Sequence, residues 1–172
     1  MPRIFIGIKM SKKIEDLATN WSSDKLNWPV RWIKPKNLHL TLIPPFYEDN
    51  IEMITDKLKT IPPLAGAIGI NFHTISYGPG PGNYRLIWAV GNPSLELEKL
   101  KVELEKSLNL KSEARRFLPH LTLARFRPED FSKLRVKILN EKINWDEEIR
   151  TFTIFKSILR PDGAEYEVIK SF

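Results

Sequence analysis

Histidine is scarce in this chain and selectively placed. Of the three histidines, His39 and His120 each open a His-Leu-Thr-Leu segment, over 39–42 and 120–123, and His73 does not. In Leu38-His39-Leu40-Thr41-Leu42 apolar and polar residues alternate. An extended strand therefore buries the leucines on one face and turns His39 and Thr41 out of the other, about 7 Å apart along the chain. Leu118-Pro119-His120-Leu121-Thr122-Leu123 keeps the same parity. Brought face to face, the two strands would gather two imidazoles and two hydroxyls around one point. A neutral imidazole takes a proton from an attacking water or hydroxyl, and a protonated one gives a proton to a leaving oxygen; an ordinary pKa near 6.5 allows both forms near neutrality. The hydroxyls hydrogen-bond phosphoryl oxygens as charge builds on them. In-line displacement at phosphorus needs acid and base on opposite sides, which two facing strands supply.

Chance is a poor explanation of the pair. With 8 Thr in 172 residues, a given His has a Thr two places on about once in twenty times. A duplicated structural residue would recur as well, but paired polar side chains on an outward strand face are hard to explain by packing. His73 has no such constellation and reads as structural. The absence of Cys removes disulfides, thiol nucleophiles and thiolate metal sites. Two convergent His are fewer than the three protein ligands of a catalytic zinc, so neither a metal nor a cofactor is expected. No glycine-rich phosphate loop or Ser-His-Asp order stands out. Lys and Arg number 27 against 21 for Asp and Glu, a net charge of +6. That balance suits a polyanionic partner such as RNA or a nucleotide, and equally a basic surface kept for solubility.

The elements that must hold the two segments recur with them. Superimposing position 39 on 120 also lays Ile4–Ile8 on Arg85–Ala89 and Ile70–Ile75 on Thr151–Lys156, all strand-like runs. Each repeat, roughly 1–78 and 83–160, reads strand, helix, His-Leu-Thr-Leu strand, helix, strand. The first helix is expected from a Ser11 cap to about Leu26 on the spacing of Ile14, Leu17, Ala18 and Trp21, and its counterpart after an Asn92-Pro93 cap on Leu97, Leu100, Leu104 and Leu108. Glu48–Ile61 and Asp130–Leu139 carry shorter amphipathic patterns. The Gly78–Gly82 run marks a hairpin loop, and Arg160-Pro161-Asp162-Gly163-Ala164 marks the turn of a C-terminal hairpin over 152–172. Together these predict a single α+β domain over 1–172. It is bilobal, with two αβ halves in a pseudo-twofold repeat and mainly antiparallel sheets around a central cleft. No run approaches the ~20 apolar residues of a membrane span, and the N-terminal segment lacks the apolar stretch of a signal peptide, so a cytoplasmic location is expected. A monomer is expected because the repeat already buries the surface a dimer would use.

The paired motifs and their flanks resemble the two-histidine phosphoesterase superfamily, most closely its LigT-like branch, the RNA 2′,3′-cyclic phosphodiesterases also called 2′-5′ RNA ligases. The resemblance rests on Arg3–Ile8, on Val30–Leu42, on Phe117–Arg125 and on Lys156–Tyr166. It implies metal-independent attack of water on a 2′,3′-cyclic phosphate at the end of an RNA or nucleotide, leaving a 2′-phosphate, with His39 as proton donor and His120 as proton acceptor. A phosphodiesterase or ligase acting on 2′-5′-linked or small cyclic nucleotides, and a non-catalytic RNA-end-binding module, remain open at this point. Where family members commonly continue Lys-Phe-Leu-Gly after the first motif, this chain has Ile43-Pro44-Pro45-Phe46-Tyr47. Phe46 or Tyr47 then becomes the candidate for stacking on a base, with a core role an even alternative. The resemblance makes Arg125 a phosphate contact. Lying three past Thr122, it falls on the face opposite His120 unless the strand bulges or ends.

Overall fold

A computed structural model describes residues 1–112, 116–161 and 163–172. Within these, nine strands form one curled sheet: β1 (Arg3–Lys9), β2 (Arg31–Trp32), β3 (His39–Tyr47), β4 (Ile68–Gly78), β5 (Leu86–Gly91), β6 (His120–Arg125), β7 (Asn140–Ile149), β8 (Thr153–Arg160) and β9 (Gly163–Ser171). Among the described residues three α-helices accompany them: α1 (Lys12–Ser22), α2 (Ile51–Lys59) and α3 (Leu95–Ser107). The strands run in the order β7-β4-β5-β6-β3-β1-β8-β9, with β2 added against β6, and every pairing is antiparallel. The α+β fold with antiparallel sheet is the one the sequence predicts. The repeats are interleaved in space: β4, from the first, pairs with β5, and β8, from the second, pairs with β1. The middle of the sheet is the junction of β3 and β6, a single bridge between Leu40 and Leu121. The two His-Leu-Thr-Leu strands are therefore neighbours at the centre, barely joined.

The predicted parity holds because the leucines have a core to enter. Leu40, Leu42, Leu121 and Leu123 are buried with Ile6, Ile14, Ile54, Leu97 and Leu104 in one apolar cluster under the helices, while His39, Thr41, His120 and Thr122 stay partly open on the other face. Gly7 is required where β1 crosses β3, since a Cβ there would lie 2.6 Å from the Leu40 carbonyl oxygen. Two caps differ from expectation. The Ser11 side chain makes no cap bond; the Ser11 N–H instead donates to Glu147 Oε2 of β7 at 2.8 Å. α3 is capped by Ser94, whose Oγ accepts from the Leu97 N–H at 3.2 Å, two residues beyond the Asn92-Pro93 signal.

The helix expected over Asp130–Leu139 does not form. A six-residue 3-10 turn, Pro128–Lys133, stands there, anchored by Phe131 among Tyr77, Tyr84 and Phe126. Ile138, which the amphipathic pattern would have buried, is 87% exposed. Past this turn the chain must travel from β6 over β5 and β4 to the sheet edge, and extended backbone covers about twice the distance per residue of a helix. It does so and becomes β7, whose Ile143, Trp145, Glu147 and Ile149 alternate toward the core. The C-terminal hairpin forms as predicted, β8 against β9, with Asp162 of its turn outside the described residues.

Candidate active site

Both imidazoles are held in the same way. His39 Nδ1 lies 2.7 Å from the Asn37 carbonyl oxygen and His120 Nδ1 lies 2.9 Å from that of Leu118. A carbonyl only accepts, so each Nδ1 carries the hydrogen and donates it, which leaves each Nε2 as the reactive nitrogen. Asn37 is itself buried and fixed by a bond from Nδ2 to the Ala164 carbonyl at 3.0 Å. The antiparallel bridge at Leu40 and Leu121 sets His39 opposite Thr122 and Thr41 opposite His120. In that register the two rings lie on one diagonal and the hydroxyls on the other. Among the described residues neither Thr41 nor Thr122 gives its hydroxyl to a protein partner. Thr19, Thr55 and Thr60 bond carbonyls of their own helices, and Thr74 and Thr153 bond side chains. Among the described residues the two motif hydroxyls thus remain available as donors on the face that carries the imidazoles.

Arg125 reaches this face, and a bulge carries it there. Ile87 pairs with Ala124 but Trp88 pairs with Thr122, so Leu123 is the extra residue and the side-chain alternation shifts by one. Leu123 and Ala124 are both buried, and Arg125 turns out to the His120 side. Its guanidinium is held below the ordinary arginine value, first by partial desolvation against the cleft wall and then by the like charges of Arg31, Arg85 and Arg3, with Tyr166 acting in the opposite sense. It remains cationic at neutral pH.

Aromatic rings back both imidazoles, and the motif reading alone did not find them. His39 lies 4.7 Å from Phe5 and 4.8 Å, edge-on, from Tyr166 between ring centres. Trp88 lies 4.8 Å from His120 and donates its indole N–H to Ser76 Oγ at 3.0 Å. Gly78 makes room for that indole, since a Cβ there would stand 2.3 Å from the ring. The signal for these residues was parity: Phe5 and Trp88 lie on strands flanking the motif strands, and Tyr166 on the hairpin beyond. Phe46 and Tyr47 are not drawn to the imidazoles. Phe46 packs against the core, and its surface neighbours are Ile43, Leu110 and Glu105 of α3. Tyr47 is 60% exposed at the end of β3, opposite Arg3. His73 sits on β4, bonded to Thr74 at 2.8 Å. Among the described residues no three His, Cys, Asp or Glu side chains converge as metal ligands, and no helix is long and apolar enough to cross a membrane.

The electrostatics differ from the sequence expectation of ordinary imidazoles. Burial is the largest influence on His39 and lowers its pKa to about 4; the Asn37 carbonyl opposes this, and the charges of Arg125 and His120 add to it. His120 is lowered by burial and then by Arg125, against the Leu118 carbonyl. Both rings are thus neutral near pH 7 in the free protein. A folded value below the unfolded one stabilises the fold above about pH 6.5, and this stability is lost as pH falls through about 4. For His39 the full effect is at most about 3 kcal/mol. Urea midpoints of the wild type should accordingly fall between pH 6.5 and 4 more steeply than those of His39→Gln, whose side chain does not titrate; parallel curves would mean that His39 is not buried as a neutral ring.

A model of the family described as the 2′-5′ RNA ligase superfamily matches residues 29–157. An RNA 2′,3′-cyclic phosphodiesterase from Methanocaldococcus jannaschii is 28% identical over 99% of both chains. Among solved structures, a protein of Thermus thermophilus superposes with a TM-score of 0.79 at 19% identity, over 99% of this chain and 96% of the other. Escherichia coli LigT in complex with 3′-AMP superposes with a TM-score of 0.74 at 21% identity, over 99% and 97%.

Proposed function

The chain belongs to the 2′-5′ RNA ligase superfamily, and from that membership and the site geometry we propose that it hydrolyses 2′,3′-cyclic phosphate ends of RNA or nucleotides to 2′-phosphates without a metal. The observation that carries the reading is the matched clamp on the two imidazoles, which commits both Nδ1 atoms and leaves the Nε2 of each ring for proton transfer. The activity named for the relative from Methanocaldococcus jannaschii agrees with it.

In this mechanism the cyclic phosphate lies between the rings, with Arg125 facing its charge. Neutral His120 takes a proton through Nε2 from a water whose oxygen attacks phosphorus. The bond from phosphorus to the 3′ oxygen breaks, and protonated His39 gives its Nε2 hydrogen to that oxygen. The product keeps the phosphate on the 2′ oxygen, and His39 and His120 return to their starting forms by exchange with solvent. Thr41 and Thr122 donate to the non-bridging oxygens as their charge grows. Because burial and Arg125 disfavour charge on His39, the incoming phosphate anion is what makes its protonated form accessible: substrate binding and proton uptake are coupled. Turnover of a 2′,3′-cyclic nucleotide in excess EDTA should match turnover without it and give only the 2′-phosphate. Loss of activity on chelation, restored by one added metal, would overturn the mechanism, and a 3′-phosphate product would reverse which oxygen leaves.

A further inference from the structure

Arg125 is one of four guanidiniums on a single open groove, lined by Arg31, Arg85, Arg125 and Arg127 with Phe126 and Asp130. Arg31 pairs with Arg125 across β2 and β6, neighbouring strands about 5 Å apart, and Arg85 directly precedes Leu86, the partner of Arg125 across β5 and β6. Among the described residues Arg31, Arg85 and Arg127 form no ion pair, and Arg85 reaches only Asn83 Oδ1 at 3.4 Å. The carboxylate on the groove, Asp130, is held by Lys133 at 2.6 Å. Asp130 also feels the charge of Arg127, but four guanidiniums against one carboxylate shared with Lys133 still repel one another, and an incoming polyanion relieves that repulsion.

The charge is more than the reaction needs. A cyclic phosphate diester is a monoanion, which Arg125 alone balances. Each further nucleotide of a chain adds one negative charge. A 2′,3′-cyclic end uses both the 2′ and 3′ oxygens, so the rest of an RNA can leave the site only through the 5′ oxygen, on one side. The groove is one-sided in the same sense. The repeat that lays position 39 on 120 lays Ile4, Pro44 and Phe46 on Arg85, Arg125 and Arg127, so the pseudo-twofold is kept in the imidazoles and broken in the charge.

We propose that Arg31, Arg85 and Arg127 form a track for the phosphodiester backbone of single-stranded RNA, running 5′ from a cyclic end seated between His39 and His120; this rests on the phosphodiesterase reading above. The natural substrate is then an oligonucleotide or longer RNA, with the mononucleotide a truncated form. The track reads phosphates and carries no base specificity.

The test is binding of a fluorescein-labelled octaribonucleotide ending in a 3′-phosphate, followed by anisotropy over a salt series, with a mononucleoside 3′-phosphate as competitor. Arg31→Ala, Arg85→Ala and Arg127→Ala, all at exposed positions, should each weaken octamer binding about 3- to 10-fold at about 50 mM salt. Each should also lower the slope of log affinity against log salt by about 0.7, and mononucleotide affinity should change less than twofold. Octamer binding unchanged in all three variants, or octamer and mononucleotide weakened equally, would overturn the track. Turnover of a cyclic mononucleotide is read separately. Its absence alongside the expected salt slopes would sink the chemistry and keep the track, and its presence with flat slopes would do the reverse.

Discussion

His39→Ala and His120→Ala should each slow hydrolysis of a 2′,3′-cyclic nucleotide by about 10²- to 10⁴-fold, the usual worth of a positioned proton-transfer group, and His73→Ala should leave it unchanged. The two losses should combine to less than their product, because neither ring completes the transfer cycle alone. Roles separate on a nitrophenyl phosphodiester, whose leaving group needs no proton. There the variant lacking the acid should recover much of its rate, and we expect that variant to be His39→Ala. Recovery in His120→Ala would exchange the roles, and full activity of both variants on the cyclic substrate would end the enzymatic reading. The pH profile adds a second readout. One ring must be protonated and the other neutral, so the rate should be bell-shaped, with apparent values that belong to the pair. Burial and Arg125 lower His39 in the free protein, whereas a bound phosphate anion favours the imidazolium. The limb that reports loss of the acidic proton should therefore lie at higher pH in kcat than in kcat/KM. Coincident limbs would mean that substrate binding does not recruit the proton.

What was legible in the sequence is what local rules control. Alternation around His39 and His120 placed both side chains on the cleft face because the leucines between them had to be buried, and the repeat placed their strands in equivalent positions. Arg125 was ambiguous for a physical reason. A bulge is a property of two paired strands, and nothing within His120–Arg125 alone announces that Trp88 skips Leu123. The fourth helix was misread because Phe131 and Leu134 fit a helical stripe as well as they fit an aromatic nest and a turn, and only the path to the sheet edge decides between them. β7 had a signal of its own in the period-two run Ile143, Trp145, Glu147, Ile149, obscured by a buried glutamate whose carboxylate accepts the Ser11 N–H. The lowered imidazoles were beyond reach altogether, since they depend on Phe5, Tyr166 and Trp88 arriving from distant segments.

Thr41→Val and Thr122→Val should each slow turnover about 10- to 1,000-fold while folding normally. Valine keeps the β-branched shape and nearly the volume that β3 and β6 accommodate, so the strands and the clamps on His39 and His120 stay in place. What is lost is one hydroxyl donor per strand, and among the described residues neither hydroxyl serves any protein acceptor. Their removal therefore leaves no internal hydrogen bond broken, and the expected cost to stability is small. The cost to the transition state is expected to be large because the non-bridging oxygens gain charge there, and a donor already fixed in place needs no reorganisation to meet it. The loss should fall mainly on kcat, with KM little changed, since the bond strengthens as the reaction proceeds. Thr→Ser at either position should restore most of the rate, as the donor returns without the methyl. The register adds a distinction between the two. Thr122 stands opposite His39 and Thr41 opposite His120, so in the proposed mechanism each hydroxyl would hold the phosphate against the ring across from it. Combining Thr122→Val with His39→Ala should then cost less than the product of the single losses. Wild-type rates in both valine variants would return the threonines to the strands as packing residues only.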